Sequence, residues 1–141
     1  NEKNMSKREP LDIVFVCLHG TAKSLVAAEH LQRLATERGL VVRVVARGLE
    51  PEAQLTPALS RGLADDGFDV ATYRAATPSA ADLDAADLVV AFGVDVPGVA
   101  AEKFIRWDDV SSLNENYAKA RSEIVTHLEK LVQVLAARTH K

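Results

Sequence analysis

The chain's only cysteine, Cys17, ends the apolar run Val14-Phe15-Val16 and is followed by Leu18-His19-Gly20-Thr21-Ala22-Lys23-Ser24. A thiolate is a strong nucleophile, and a helix N-terminus or a nearby cation favours that anion. The N–H groups at such a helix start also gather oxyanions. Strand, small-residue loop and helix start together spell a nucleophile beside an oxyanion cradle. Its donors are the backbone of Leu18, His19, Gly20, Thr21 and Ala22 and the ammonium of Lys23. Gly20 is free to take the positive φ that turns successive N–H groups toward one point.

Each of these residues also has a plainer reading. Cys17 is alternatively a small buried residue at a strand end. Ser24 is either a hydrogen-bond partner for the sulfur or a helix N-cap. His19 either orients the loop through a backbone hydrogen bond or is an ordinary loop residue. Lys23 supplies a point charge where arginine would supply a planar fork. As a merely solvated lysine in a first helical turn it would oppose the helix dipole. Asp108 and Asp109 follow the last apolar strand, and either one is a candidate proton donor to a leaving oxygen. Acidic residues are also common just ahead of a helix, so both remain open. Asp87 and Asp95 read as structural, and Arg47 and Arg74 as rim arginines, solvated or paired.

Alternating apolar strands and amphipathic helices must position these groups. Strands are expected at Ile13–Val16, Val41–Val45, Leu88–Phe92 and Lys103–Trp107. Helices are expected from Ser24 to about Arg38, stopped by Gly39, and from Pro57 to about Asp66, capped by Thr56 and stopped by Gly67. Ser79 to Ala86 reads as a short helix with Ser79 as cap and Asp82 three residues on. Asp69–Arg74 reads as a short extended piece. Ser112-Leu113-Asn114-Glu115 has capping-box spacing ahead of a long helix striped by Tyr117, Ile124, Leu128, Leu131, Val132 and Leu135. This order predicts an α/β domain, three layers α/β/α around a four-stranded parallel sheet. Right-handed crossovers put all strand C-termini on one edge, where ligands bind. Cys17, Gly48, Gly93 and Asp108 all fall at that edge.

The 141 residues suit one domain over 11–141. Asn1–Asn4 precede Met5, so residues 1–10 are expected to be a disordered or appended tail. A net charge of -3 gives no basic footprint for nucleic acid. No apolar run reaches the roughly 20 residues of a membrane span. One cysteine, with no signal-peptide pattern, fits a cytoplasmic protein.

The motif resembles the low-molecular-weight protein tyrosine phosphatase family and its arsenate-reductase relatives from Ile13 to about Ala136. Members carry a strand, then Cys, five residues, Arg and Ser, then a helix. Cys17 and Ser24 match, and Lys23 replaces the arginine. Cys17-Leu18-His19 is more similar to the arsenate-reductase branch. Ala46-Arg47-Gly48 resembles the family's Ser-Ala-Gly, and Ala86-Asp87-Leu88-Val89-Val90 its Ala-Asp-Leu-Val strand. Trp107-Asp108-Asp109 falls at the aspartate loop, with Val110 where proline often stands, and the Asn114–Leu131 segment resembles the closing helix.

The resemblance implies a phosphatase-like hydrolase acting on phosphotyrosine or another phosphomonoester. Cys17 would attack phosphorus, the loop and Lys23 would hold the oxygens, and Asp108 or Asp109 would protonate the leaving group. Neither metal nor cofactor is implied. The expected partners are a phosphate or arsenate oxyanion and a possible phosphoprotein substrate. Two alternatives stand beside this reading: an arsenate reductase drawing on an external low-molecular-weight thiol, and a catalytically impaired module that binds phosphate or phosphoproteins. An internal cysteine relay is excluded, because Cys17 stands alone and Val94 falls about where relatives carry a resolving cysteine.

Overall fold

The computed structural model describes residues 10–19 and 22–139. Gly20 and Thr21, both expected in the oxyanion loop, and the tail before residue 10 lie outside the described residues. Four parallel strands form one sheet in the order β2-β1-β3-β4. They are β1 (Leu11–Cys17), β2 (Val42–Gly48), β3 (Leu88–Phe92) and β4 (Phe104–Trp107). The helices are α1 (Lys23–Glu37), α2 (Pro57–Asp65), α3 (Ala80–Ala85) and α4 (Tyr117–Thr139).

β1 carries Ile13, Phe15 and Cys17 on one face and Val14 and Val16 on the other, as the two-residue period of a strand requires. The first face packs on α1 and α4 through Leu25, Leu31, Ala35, Ile124, Leu128 and Leu135, all essentially inaccessible to water. Each such leucine or isoleucine contributes about 2 kcal/mol by burial. The second face is covered more thinly, by Leu83 of α3 and by Val94, Val96 and Val99. The three expected layers are therefore unequal. Strands of this kind, buried on both sides, read as unbroken apolar runs, and β3 is buried throughout its length.

Two local expectations are corrected. Asp69–Arg74 is not an extended piece but contains a turn from Val70 to Tyr73. The Tyr73 N–H donates to the Val70 carbonyl at 3.1 Å, and Asp69 Oδ1 accepts from the Ala71 N–H. An aspartate folding back on its own backbone overrides the modest extended preference of Val70. The Ser112 segment does not cap α4 directly. It forms a separate turn, and Asn116 Oδ1 accepts the Lys119 N–H at 3.1 Å at the helix start. Elsewhere the caps match: Thr56 accepts from Leu59, and Ser79 with Asp82 makes a reciprocal box.

Candidate active site

β1 delivers Cys17 to the C-terminal edge of the sheet with only 5% of its surface exposed. Its Sγ lies 3.0 Å from Ser24 Oγ, which is completely buried. Ser24 is inside the first turn of α1, whose N-cap position is Ala22 and has no side-chain cap. The N-cap alternative for Ser24 is thus set aside: its hydroxyl is occupied with the sulfur.

The loop after β1 leans on the segment after β2. Leu49, Glu50 and Glu52 donate their N–H groups to the carbonyls of Cys17, Leu18 and His19 at 3.1, 2.6 and 3.1 Å. His19 Nδ1 donates back to the Glu50 carbonyl at 3.1 Å, so this histidine orients the loop. These bonds fasten Cys17 to His19, the described start of the loop, against the segment after β2. Beside this wall is a cavity of about 710 Å³, lined in part by Glu52, Leu55, Phe68, Asp69, Tyr73 and Arg74. Burial, helped by the nearby Cys17, pushes the Tyr73 phenol up to about 12, so it stays protonated.

Four consecutive residues after β4 are each fastened to a different group. Arg106 grips Asp108 at 2.7 and 2.9 Å and reaches Asp95 at 2.6 Å. Asp109 Oδ1 meets His127 Nε2 of α4 at 2.9 Å. The Val110 carbonyl accepts from Lys23 Nζ at 2.8 Å. Ser111 donates its N–H to Glu123 at 2.7 Å. The His127 hydrogen bond is the main reason the Asp109 carboxyl sits below the usual aspartate range. Lys23 therefore bridges the start of α1 to the acid-bearing loop, a contact that its spacing from Cys17 did not announce.

The remaining candidates have structural partners. Arg47 pairs with Asp82 at 2.8 Å, Arg74 lines the cavity, Asp87 accepts the Asp12 N–H, and Asp95 pairs with Arg106. Arg106, Glu123, Tyr73 and His127 belong to the site's surroundings but went unread in the sequence. Only His127 left a trace there, as a polar residue set inside the apolar stripe between Ile124 and Leu128. Among the described residues, no group of three or more His, Cys, Asp or Glu side chains is placed to hold a metal ion. No described helix is long and apolar enough to cross a membrane.

Comparison with known proteins agrees with this architecture. Residues 12–125 match the family model of low molecular weight phosphotyrosine protein phosphatase. A low molecular weight protein tyrosine phosphatase from Bacillus subtilis superposes with a TM-score of 0.76 at 21% identity, over 90% of this chain and 98% of that one. An arsenate reductase in its phosphate-binding state gives 0.75 at 20% identity, over 89% and 98%. The YwlE arginine phosphatase of Geobacillus stearothermophilus gives 0.74 at 22% identity, over 92% and 95%. No match was found among curated proteins. At these identities the structural likeness speaks for the fold.

Proposed function

The chain belongs to the low molecular weight phosphotyrosine protein phosphatase family, and from that premise we propose that it is a cysteine-dependent phosphomonoesterase. The observation that carries the reading is the buried Cys17–Ser24 pair, 3.0 Å apart, where β1 runs into α1. In this reading the Cys17 thiolate attacks phosphorus in line. An S–P bond forms, the ester O–P bond breaks, and an aspartic acid of the loop after β4 gives the departing oxygen its proton. Loop N–H groups and Lys23 stabilise the equatorial oxygens as negative charge builds on them. Water, deprotonated by the same carboxylate, then cleaves the S–P bond and releases phosphate. The substrate is phosphotyrosine or another phosphomonoester.

The test is hydrolysis of an aryl phosphate at mildly acidic pH by wild type and Cys17→Ser. Turnover in the first and none in the second supports the proposal. Equal rates in both would defeat it.

A second reading, arsenate reduction, is compatible with the same single cysteine. A chain with a single cysteine must take its reductant from outside. The Cys17 thiolate would attack arsenate, forming an S–As bond as an As–O bond breaks and its oxygen leaves as water. An external low-molecular-weight thiol would then attack the Cys17 sulfur, leaving arsenite and a mixed disulfide, and a second thiol would restore Cys17. Arsenite production dependent on added thiol, without aryl phosphate turnover, would select this reading.

A further inference from the structure

The two acids of the loop after β4 are held in chemically different ways. Asp108 is gripped through both oxygens by Arg106, a cation that does not titrate. Both Asp108 oxygens are thereby engaged by one guanidinium, which also holds Asp95. Asp109 Oδ1 is bonded to His127, and this partner is an imidazole, which can itself carry a proton. That imidazole is firmly seated. The His127 ring stacks on Trp107 with centroids 4.4 Å apart and planes 15° from parallel. Trp107 in turn packs edge-on against Phe92, and both meet Phe15 in the core. A column of rings thus runs from the centre of the sheet to the carboxyl of Asp109.

We propose that His127 is a positioning residue for Asp109, and that Asp109, not Asp108, donates the proton to the leaving oxygen. The inference rests on the phosphomonoesterase reading above. The charged groups around the pair are few. Lys130 of α4 acts on Asp109, while Glu123 of the same helix is engaged by Ser111. Trp107 offers His127 a neutral face. Asp109 keeps a second oxygen outside the His127 bond, and three-quarters of its side chain is exposed. The carboxyl can therefore address a substrate while His127 fixes its direction, and because the same bond holds the free carboxyl low, the proton-donating form builds up only toward acidic pH. Proton traffic is balanced: the leaving oxygen takes the Asp109 proton, and the attacking water later returns one.

The experiment compares two aryl phosphates, one with an activated nitrophenolate that leaves unaided and one with an unactivated phenolate that needs a proton. The enzymes are wild type, Asp108→Asn, Asp109→Asn, His127→Phe and His127→Gln, with Cys17→Ser as reference. His127→Phe keeps the ring on Trp107 and removes the hydrogen bond; His127→Gln keeps a hydrogen-bonding amide. Asp109→Asn should lose about a hundredfold in kcat/KM, which reports transfer to Cys17, on the unactivated ester and little on the activated one. His127→Phe should lose roughly tenfold in kcat/KM with the same selectivity, and His127→Gln should recover part of it. In the Asp109→Asn background, His127→Phe should add nothing. A leaving-group-selective loss in Asp108→Asn and none in Asp109→Asn would overturn the proposal, as would His127→Phe behaving as wild type or slowing both esters equally. Turnover that survives in Cys17→Ser would instead sink the phosphomonoesterase reading itself, so the two failures are distinguishable.

Discussion

Lys23, the first residue of α1, donates from Nζ to the carbonyl of Val110, 87 positions later in the chain, at 2.8 Å. One ammonium thereby ties the start of α1 to the loop that carries both candidate acids. Lysine has three N–H donors, so one can hold Val110 while others turn to a bound oxyanion. A guanidinium has donors in a rigid fork and must choose its geometry once. Lys23→Arg is therefore expected to lower kcat, because the strap to Val110 is reshaped. Lys23→Met, which removes the charge, should cost about a hundredfold in kcat/KM. Steady-state kinetics decide the point, and a faster Lys23→Arg enzyme would mean that lysine is only a weak substitute for arginine.

Ser24→Ala isolates the contact to the sulfur. The residue is small, fully buried and seated inside a helix that alanine favours, so the fold should hold. Losing the 3.0 Å contact to Cys17 Sγ is expected to slow turnover roughly tenfold, the equivalent of about 1.4 kcal/mol. Thermal melting alongside kinetics separates this from simple destabilisation. An unchanged kcat would remove Ser24 from the chemistry.

Away from the cleft, Asp66 joins three elements. It accepts from Tyr117 Oη and Arg121 Nη1, each at 2.7 Å, and lies 3.5 Å from His30 Nε2. Burial alone would raise the Asp66 carboxyl, but the Tyr117 hydroxyl and the Arg121 charge outweigh it and hold it low. Burial, with Arg33 close by, lowers the His30 imidazole. Both groups thus bind protons more readily in the unfolded chain, so stability rises with pH across their titration. Melting temperature should begin to fall below about pH 6.5 through His30, and fall further below about pH 4 through Asp66. His30→Gln should flatten the first decline and leave the second. A profile identical to wild type would contradict the assignment.

Gly62 shows why α2 approaches α4 so closely. A Cβ there would lie 2.5 Å from the Tyr117 ring, inside any tolerable contact. Gly62→Ala must displace the ring and strain its bond to Asp66. Overpacking of this kind costs about 1–3 kcal/mol. Urea unfolding should show a lower midpoint for Gly62→Ala, and Tyr117→Phe should not rescue it, since the clash is with the ring and not the hydroxyl. A midpoint equal to wild type would show that the ring yields freely.

Much of this architecture was legible in the chain. The run from Val14 to Ser24 marks strand, loop and helix because its apolar, small and polar residues change at the element boundaries. Thr56-Pro57 and Ser79 with Asp82 announce helix starts through local hydrogen bonds. The fastenings on residues 108–111 left no comparable mark. Asp109 with His127 and Lys23 with Val110 are meetings between distant segments, set by helix packing on the sheet and not by any period in the sequence. The segment Asp69–Arg74 was misread because a backbone bond from Tyr73 to Val70, with Asp69 holding the Ala71 N–H, turns a stretch that carries no turn motif. Ser112 was misread because Asn116, four residues on, competes for the same role and wins. Gly20 and Thr21, expected in the oxyanion loop from the motif alone, lie outside the described residues.

The central claim is that Cys17 is the atom that takes the phosphoryl group. Rapid acid quenching of the enzyme during turnover of an aryl phosphate, followed by peptide mass spectrometry, tests it most directly. The account predicts one phosphate bound through sulfur at Cys17, formed as fast as the phenol is released and absent in Cys17→Ala. Turnover with no phosphate on Cys17, or with undiminished rate in Cys17→Ala, would contradict it.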